Sequence, residues 1–467
     1  MKSPVKMRST RMMLLATVSI LAAQLASART LYATNDGTDS GSCGAKATPC
    51  RSISQAIENA SAGDTIGVGA GRYGNISGDG TFSHPGDEHP QSGRFGNFGA
   101  TAGCIICINK ALTIQSLHGA SVTVIEGIPS MDFPATVLVM SYNVHFGAAG
   151  AGFTVTGGNT YGVRVDQNVI SNAVFHPPGV SISVAGNVDV GDGTGFSFAG
   201  IDFEDRLCFA PVPCLPQSIS FSGNESTSNA AAGFAVQLNA QVVIGGGPVL
   251  LQNNVAQEAG TGFSVHPGGQ DEIGAAVTAA NVSVIGNLAI HTGLGFDLDL
   301  AGDVERNTAV GNANAGFQVV PDLTVFRSNT TVGNRGPGLI VNFSADLFDD
   351  GTDPARKFKS LDQNNFYGND RSRPSMVITT GPGEIHPGPS AHCGILNAGA
   401  VATINGPVQV TPPPKESLQA PSDFWGSPTG PSHTGPADAI AGACDQNGGV
   451  TTAPNPVSQG FTITTAP

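Results

Sequence analysis

Two short phrases in this chain carry residue types suited to proton transfer. They are Gly262-Phe-Ser-Val-His266 and Gly295-Phe-Asp-Leu-Asp299. In an extended strand successive side chains alternate between faces. If Phe263 and Phe296 point inward on neighbouring strands, Ser264 and His266 share the outer face with Asp297 and Asp299. That register sets His266 beside Asp299, within ~5–7 Å, and Ser264 beside Asp297. An imidazole next to two carboxylates has its pKa raised and suits acid–base work on a sugar. Glu305 and Arg306 follow about one turn later and join the candidate catalytic set. The competing account is that outer positions of any stacked-strand protein are polar, so Asp and His occur there by default.

A second cluster is Asp346, Asp349, Asp350 and Asp353, interrupted by Gly351 and followed by Arg356, Lys357 and Lys359. Four carboxylates within eight residues suit a hard cation such as Ca²⁺, which takes six to eight oxygen ligands. The spacing is not that of an EF-hand. An acidic surface loop offset by the adjacent basic run would look the same.

The elements that must position these groups are legible as repeats. A hydroxyl or amide residue, two variable residues and Gly-Asn recur six times, ending at Asn187, Asn224, Asn287, Asn312, Asn334 and Asn369. After most of them a glycine precedes a large apolar residue that opens an alternating run: Phe196, Phe234, Phe263, Phe296, Phe317 and Leu339. The last three openers are 21 and 22 residues apart, and the wider gaps leave room for inserted loops or a second coil. One such unit has no means of burying its apolar face alone, so units must stack into a continuous core. Parallel pairing of stacked strands gives a single parallel β-helix, all-β, over residues 29–445 with its caps. A leucine-rich repeat would need leucines at fixed offsets, and a propeller would need longer units.

Such a solenoid needs covered ends. Ile53, Ala56, Ile57 and Ala60 lie at helical spacing, so Cys50–Ala60 predicts a short amphipathic helix plugging the first coil, followed by a first strand at Gly63–Ala70. At the far end the sole tryptophan, Trp425, sits in a Gly/Pro-rich turn and reads as a packing lid.

Residues 1–28 are set aside. Lys2, Lys6, Arg8 and Arg11 precede an apolar stretch from Met12 to Leu25 and a small-residue site at Ala26-Ser27-Ala28, the pattern of a secretory signal peptide cleaved after Ala28. Its loss takes the net charge of −14 four units lower. An acidic surface repels phosphate backbones, so nucleic acid is excluded as a partner. It also repels polyuronates, unless a divalent cation bridges the two. No later stretch is apolar for the ~18 residues a transmembrane helix needs. The expected product is a secreted, periplasmic or cell-surface monomer with residues 446–467 as a C-terminal tail. Eight cysteines in an exported chain predict disulfides; sequence-neighbour pairing gives Cys43–Cys50, Cys104–Cys107, Cys208–Cys214 and Cys393–Cys444 among 105 possible connectivities.

Asn35-Asp-Gly-Thr-Asp39, Pro49-Cys-Arg-Ser-Ile53, Gly63-Asp-Thr-Ile66 and Asp423-Phe-Trp-Gly-Ser-Pro-Thr-Gly-Pro431 resemble the opening and closing phrases of exported bacterial right-handed parallel β-helix proteins, the pectin-lyase-like superfamily. With the repeats, the resemblance spans most of residues 30–445. It implies the right-handed coil and a shallow groove on the outer face of one sheet, where members act on polysaccharides. It further implies an arginine such as Arg306 to hold or deprotonate a uronate, and Ca²⁺ to offset its charge. It does not choose the chemistry, because members include lyases, hydrolases, epimerases, tailspikes, adhesins and accessory proteins. The Gly-His-Gly, Asp-Asp and Arg-Ile-Lys motifs of polygalacturonases are absent, and Val265 stands where uronan epimerases carry Asp in Asp-Pro-His. One Trp and five Tyr are few for a lectin. Two functions follow as expectations: a Ca²⁺-dependent polysaccharide lyase, or a non-catalytic solenoid that binds a polymer or partner.

Overall fold

The computed structural model of the chain describes residues 28–74, 84–90, 103–129, 132–157, 160–166, 181–199, 218–238, 249–267, 282–300, 302–321, 324–341, 358–369, 378–380, 383–385, 393, 395–397, 417–419, 422–425, 431 and 450–452. It is a parallel β-helix. Each coil visits three sheets in turn, all with parallel pairing. The first sheet has eleven strands, from Thr30–Ala33 to Phe358–Asp362. The second has ten short strands, from Gly71–Gly74 to Asn365–Tyr367. The third also has ten, from Cys104–Ile108 to Ile395–Asn397. One antiparallel pair, Ile378–Thr380 with Gly383–Ile385, falls outside the coils between 180 and 370.

The apolar openers are in register. Phe196, Phe234, Phe263, Phe296, Phe317 and Leu339 occupy equivalent positions on successive third-sheet strands. All six point inward and are at most 1% exposed. The five rings stack with centroids 4.9, 4.8, 4.8 and 4.4 Å apart, which is the strand spacing expressed in side chains. Gly262 precedes Phe263 for a steric reason. A β-carbon there would lie 2.5 Å from the Gly295 carbonyl oxygen and 2.9 Å from Ala289 Cβ, so the second and third sheets meet too closely for any side chain.

The Gly-Asn phrases mark two different corners. Asn187, Asn224 and Asn287 sit between the first and second sheets, whereas Asn312, Asn334 and Asn369 sit between the second and third. At the first corner a buried column runs Asn187, Asn224, Asn254, Asn287, Asn307, Asn329, Asn364 and Asp423. Each member's backbone N–H and Nδ2 donate to the side-chain oxygen of the next, as Asn254 does to Asn287 Oδ1 at 2.9 and 3.0 Å. From Asn224 to Asn364 the same amide also donates to a main-chain carbonyl in the preceding coil, so these buried side chains are satisfied. The residue before each column member has positive φ: Gly186, Gly223, Asn253, Gly286, Arg306, Ser328, Gln363 and Ser422.

The caps follow the sequence in outline. Ser52 caps a helix over Ile53–Asn59 by accepting from Gln55 N, and Ile53, Ala56 and Ile57 are its buried face. Both oxygens of buried Glu88 take the N–H groups of Ile53 and Ser54, each at 2.7 Å. Thr65–Val68 is not the first strand, as expected above; Thr30–Ala33 precedes it and pairs with it in register. Trp425 is fully buried and stacks on Phe366 with centroids 5.1 Å apart, as a lid should. Val450–Thr452, in the segment read as tail, pairs with Ser417–Gln419. Disulfides join Cys43–Cys50 and Cys104–Cys107, and buried Cys393 is disulfide-bonded. Cys208, Cys214 and Cys444 lie outside the described residues, as do residues 1–27. Among the described residues no helix is long and apolar enough to cross a membrane.

Candidate functional site

The outer face of the third sheet carries the predicted residues in two columns. One reads Arg164, Ser197, Ala235, Ser264, Asp297, Gln318 and Ile340 along successive coils. The other places Asp166, Ala199, Gln237 and His266 in line, with Asp299 on the next coil and Val320 beside it on the coil after. Strands Thr261–Pro267 and Leu294–Leu300 pair directly, so the insertion between them adds no coil. His266, Asp297 and Asp299 therefore stand on neighbouring strands, and all three are half-buried.

The hydrogen bond differs in detail from the expected one. His266 Nε2 lies 3.0 Å from Asp297 Oδ2, so its partner is the diagonal carboxylate and not Asp299. Gln318 Nε2 donates to Asp297 Oδ1 at 3.2 Å from the following coil. Asp297 is thus held on both oxygens, and it orients the imidazole. Burial opposes a charge on His266, but the hydrogen bond and charge of Asp297, with Asp299 adding to them, outweigh it and hold the imidazole above its ordinary value. An imidazole oriented by a carboxylate in this way suits acid–base exchange. With 41% of its side chain exposed, His266 is accessible from solvent.

Glu305 and Arg306 stand elsewhere. Glu305 ends a first-sheet strand, Gly302–Glu305, and pairs with Arg327 of the next coil. Arg306 occupies the positive-φ position of the first corner, with Nη1 3.9 Å from Glu305. The fold takes both off the sheet that carries His266. Asp346, Asp349, Asp350 and Asp353 lie outside the described residues. Among the described residues, one grouping has metal-ligand proximity: Asp39, Cys43 and Cys50. Its two sulfurs are joined as a disulfide, so it offers no thiolates to a cation.

No family model, curated protein or solved structure matches the chain.

Sequence reasoning missed one part of that face. Arg164 donates from Nε and Nη2 to Asp166 Oδ2 at 2.9 and 2.8 Å, and its guanidinium lies 4.3 Å from the centre of the Tyr161 ring. The signal was Tyr161-Gly-Val-Arg-Val-Asp166, the same glycine-plus-opener phrase with Val163 in place of phenylalanine. Between this group and His266 lie the small side chains Ser197, Ala199 and Ala235 and the longer, exposed Gln237.

Proposed function

We propose that the protein is an exported β-helix of the pectin-lyase-like kind, with secretory residues 1–28, and that it acts on a polysaccharide laid across the outer face of its third sheet. The observation that carries this reading is the His266–Asp297 pair, outward-facing and accessible beside Asp299. In this reading His266 is the acid–base group, Asp297 orients it, and Gln318 fixes Asp297. Asp299 supplies a second carboxylate on the same side. The disulfides fit an oxidising compartment outside the cytosol.

One observation favours a binding-only solenoid as the second reading. Among the described residues of this face, the one permanent cation, Arg164, is already neutralised by Asp166. A uronate substrate would need its charge offset from elsewhere, and Ca²⁺ is the expected agent. The test is to incubate the purified full chain with acidic polysaccharides, with and without Ca²⁺, and follow absorbance from unsaturated uronates. Turnover that falls ~10²-fold or more in His266→Ala supports the catalytic reading. Retention of the polymer without turnover favours the binding reading, and unchanged turnover in His266→Ala refutes the assigned role.

A further inference from the structure

The inward positions of the second sheet's short strands hold small or apolar residues in neighbouring coils: Val155, Ser226, Ala256, Ala289 and Ala309. Asp189 breaks that pattern. It occupies the same inward column and is fully buried, and Asp192, at the following corner, is 2% exposed. Their carboxyl groups converge beneath Gly162. A β-carbon on that glycine would lie 1.8 Å from Asp189 Oδ2 and 2.7 Å from Asp192 Oδ2.

The neighbours fix which hydrogen bonds are possible. Asn229 Oδ1 accepts the backbone N–H of Asp192 at 2.7 Å, so the orientation of that amide is set. Its Nδ2 then donates to Asp189 Oδ1 at 2.8 Å and to Ser226 Oγ. Asp189 Oδ2 has no donor from any N–H. Among the described residues, the pair is flanked by Val155 from the preceding coil, Ser226 and Asn229 from the next coil, and Gly162 and Gly195 from the third sheet. Among the described residues these bring no cation to the carboxyls. Two carboxylates this close and this far from water cannot both stay ionised.

We propose that Asp189 and Asp192 hold one proton between them, an O–H of one carboxyl donating to the other, and that this shared proton is a pH-sensitive latch on the second corner. Burial and the charge of Asp192 raise the proton affinity of Asp189 in the folded chain. A carboxyl with raised folded affinity adds stability that is complete below the ordinary carboxylate range. That stability drains away as pH rises through the folded value. For one proton, the unfolding constant grows ~10-fold per pH unit inside that window. Opening the latch would loosen Val188–Val190 and the start of Thr194–Ala199, the strand that supplies Ser197 and Ala199 to the face described above.

The experiment is chemical or thermal unfolding of the full chain across mildly acidic to mildly alkaline pH, for wild type and Asp189→Asn. The asparagine amide can donate to Asp192 without a titrating proton. The variant should therefore lose about one proton's worth of pH dependence, ~10-fold per pH unit less than wild type, and become relatively more stable at the alkaline end. Glu88 and Asp423 are also buried with raised affinity, so the readout is the difference between the two proteins. Parallel pH profiles overturn the proposal. So does recovery of wild-type stability at alkaline pH on adding Ca²⁺ or Na⁺, which would mean a cation and not a proton joins the pair. Should Asp189→Asn fail to fold, Asp192→Asn carries the same comparison. Failure of both counts against the proposal, because either amide should supply the missing hydrogen.

Discussion

Replacing Asn287 by alanine tests what holds the coils in register. Asn287 Oδ1 accepts from Asn254 N at 2.9 Å and from Asn254 Nδ2 at 3.0 Å, while its own Nδ2 donates to Leu251 O at 2.8 Å and to Asn307 Oδ1 at 3.1 Å. Asn307 Oδ1 keeps the backbone N–H of Asn287 as a partner, so it is not orphaned. Asn254 N loses its acceptor, one hydrogen of Asn254 Nδ2 loses its own, and Leu251 O loses a side-chain donor. Asn254 is fully buried and Asn287 is 1% exposed, so water does not simply replace them. At ~1–3 kcal/mol for each buried group left unpaired, two clear orphans give a loss of about 2–6 kcal/mol. Urea unfolding followed by circular dichroism measures it, with Gln257→Ala on the outer face of the second sheet as a control that should cost less than about 0.5 kcal/mol. A loss for Asn287→Ala no larger than the control would refute the ladder as a stabilising element. The β-helix would then be held by apolar stacking alone.

The stacking itself is open to test. Phe263→Ala removes a fully buried ring centred 4.8 Å from both Phe234 and Phe296, and should cost about 3–5 kcal/mol in the same unfolding experiment. Gly262→Ala forces a methyl to within 2.5 Å of a main-chain oxygen and should lower the melting temperature at least as much as a typical core overpacking, about 1–3 kcal/mol. Asp297→Asn removes the charge that raises the His266 pKa while burial remains, so an NMR titration of the imidazole should shift to lower pH; an unmoved titration would deny the pairing. In wild type that raised value contributes stability below the ordinary histidine range and loses it as pH rises through the folded pKa. Cys43→Ser with Cys50→Ser opens a short loop and should cost about 2.5 kcal/mol.

Coil architecture was legible because its constraints recur every coil. Phe263, Phe296 and Phe317 advertise an inward column, and the same reading places Ser264 beside Asp297. The two corners were not separable, because both need a positive-φ residue followed by a buried hydrogen-bonding side chain, and Gly-Asn serves either. Asn254, Asn307, Asn329 and Asn364 escaped the phrase since Asn253, Arg306, Ser328 and Gln363 take the positive-φ place without glycine. Arg306, a candidate through the resemblance to uronate-binding lyases, is one of these positive-φ residues. Asp189 and Asp192 gave no signal at all, because a buried carboxyl in a short strand has the sequence of an exposed one. The choice of Asp297 over Asp299 by His266 is a matter of side-chain reach, which a strand register does not specify.

The location of the His266 patch follows from how the chain spends its extra length. From one corner column to the other the spacing is constant, as from Asn187 to Asp192, Asn224 to Asn229 and Asn307 to Asn312. From Asp166 to Gly302 the connections that leave the third sheet for the first span residues 167–180, 200–217, 239–248 and 268–281, then a single residue between Leu300 and Gly302. Both strands of the patch end at this boundary, since Thr261–Pro267 is followed by the last of those four long connections and Leu294–Leu300 by the short one. The side chain of Asp166 is 8% exposed, whereas those of His266 and Asp297 are 41% and 25% exposed. The His266–Asp297 pair thus spans the step from long to short connections. Lengthening the connection at Ala301 by several residues should therefore lower the solvent accessibility of His266, read by its rate of chemical modification, while leaving the unfolding midpoint nearly unchanged. An unaltered modification rate would show that connection length does not set access to the patch.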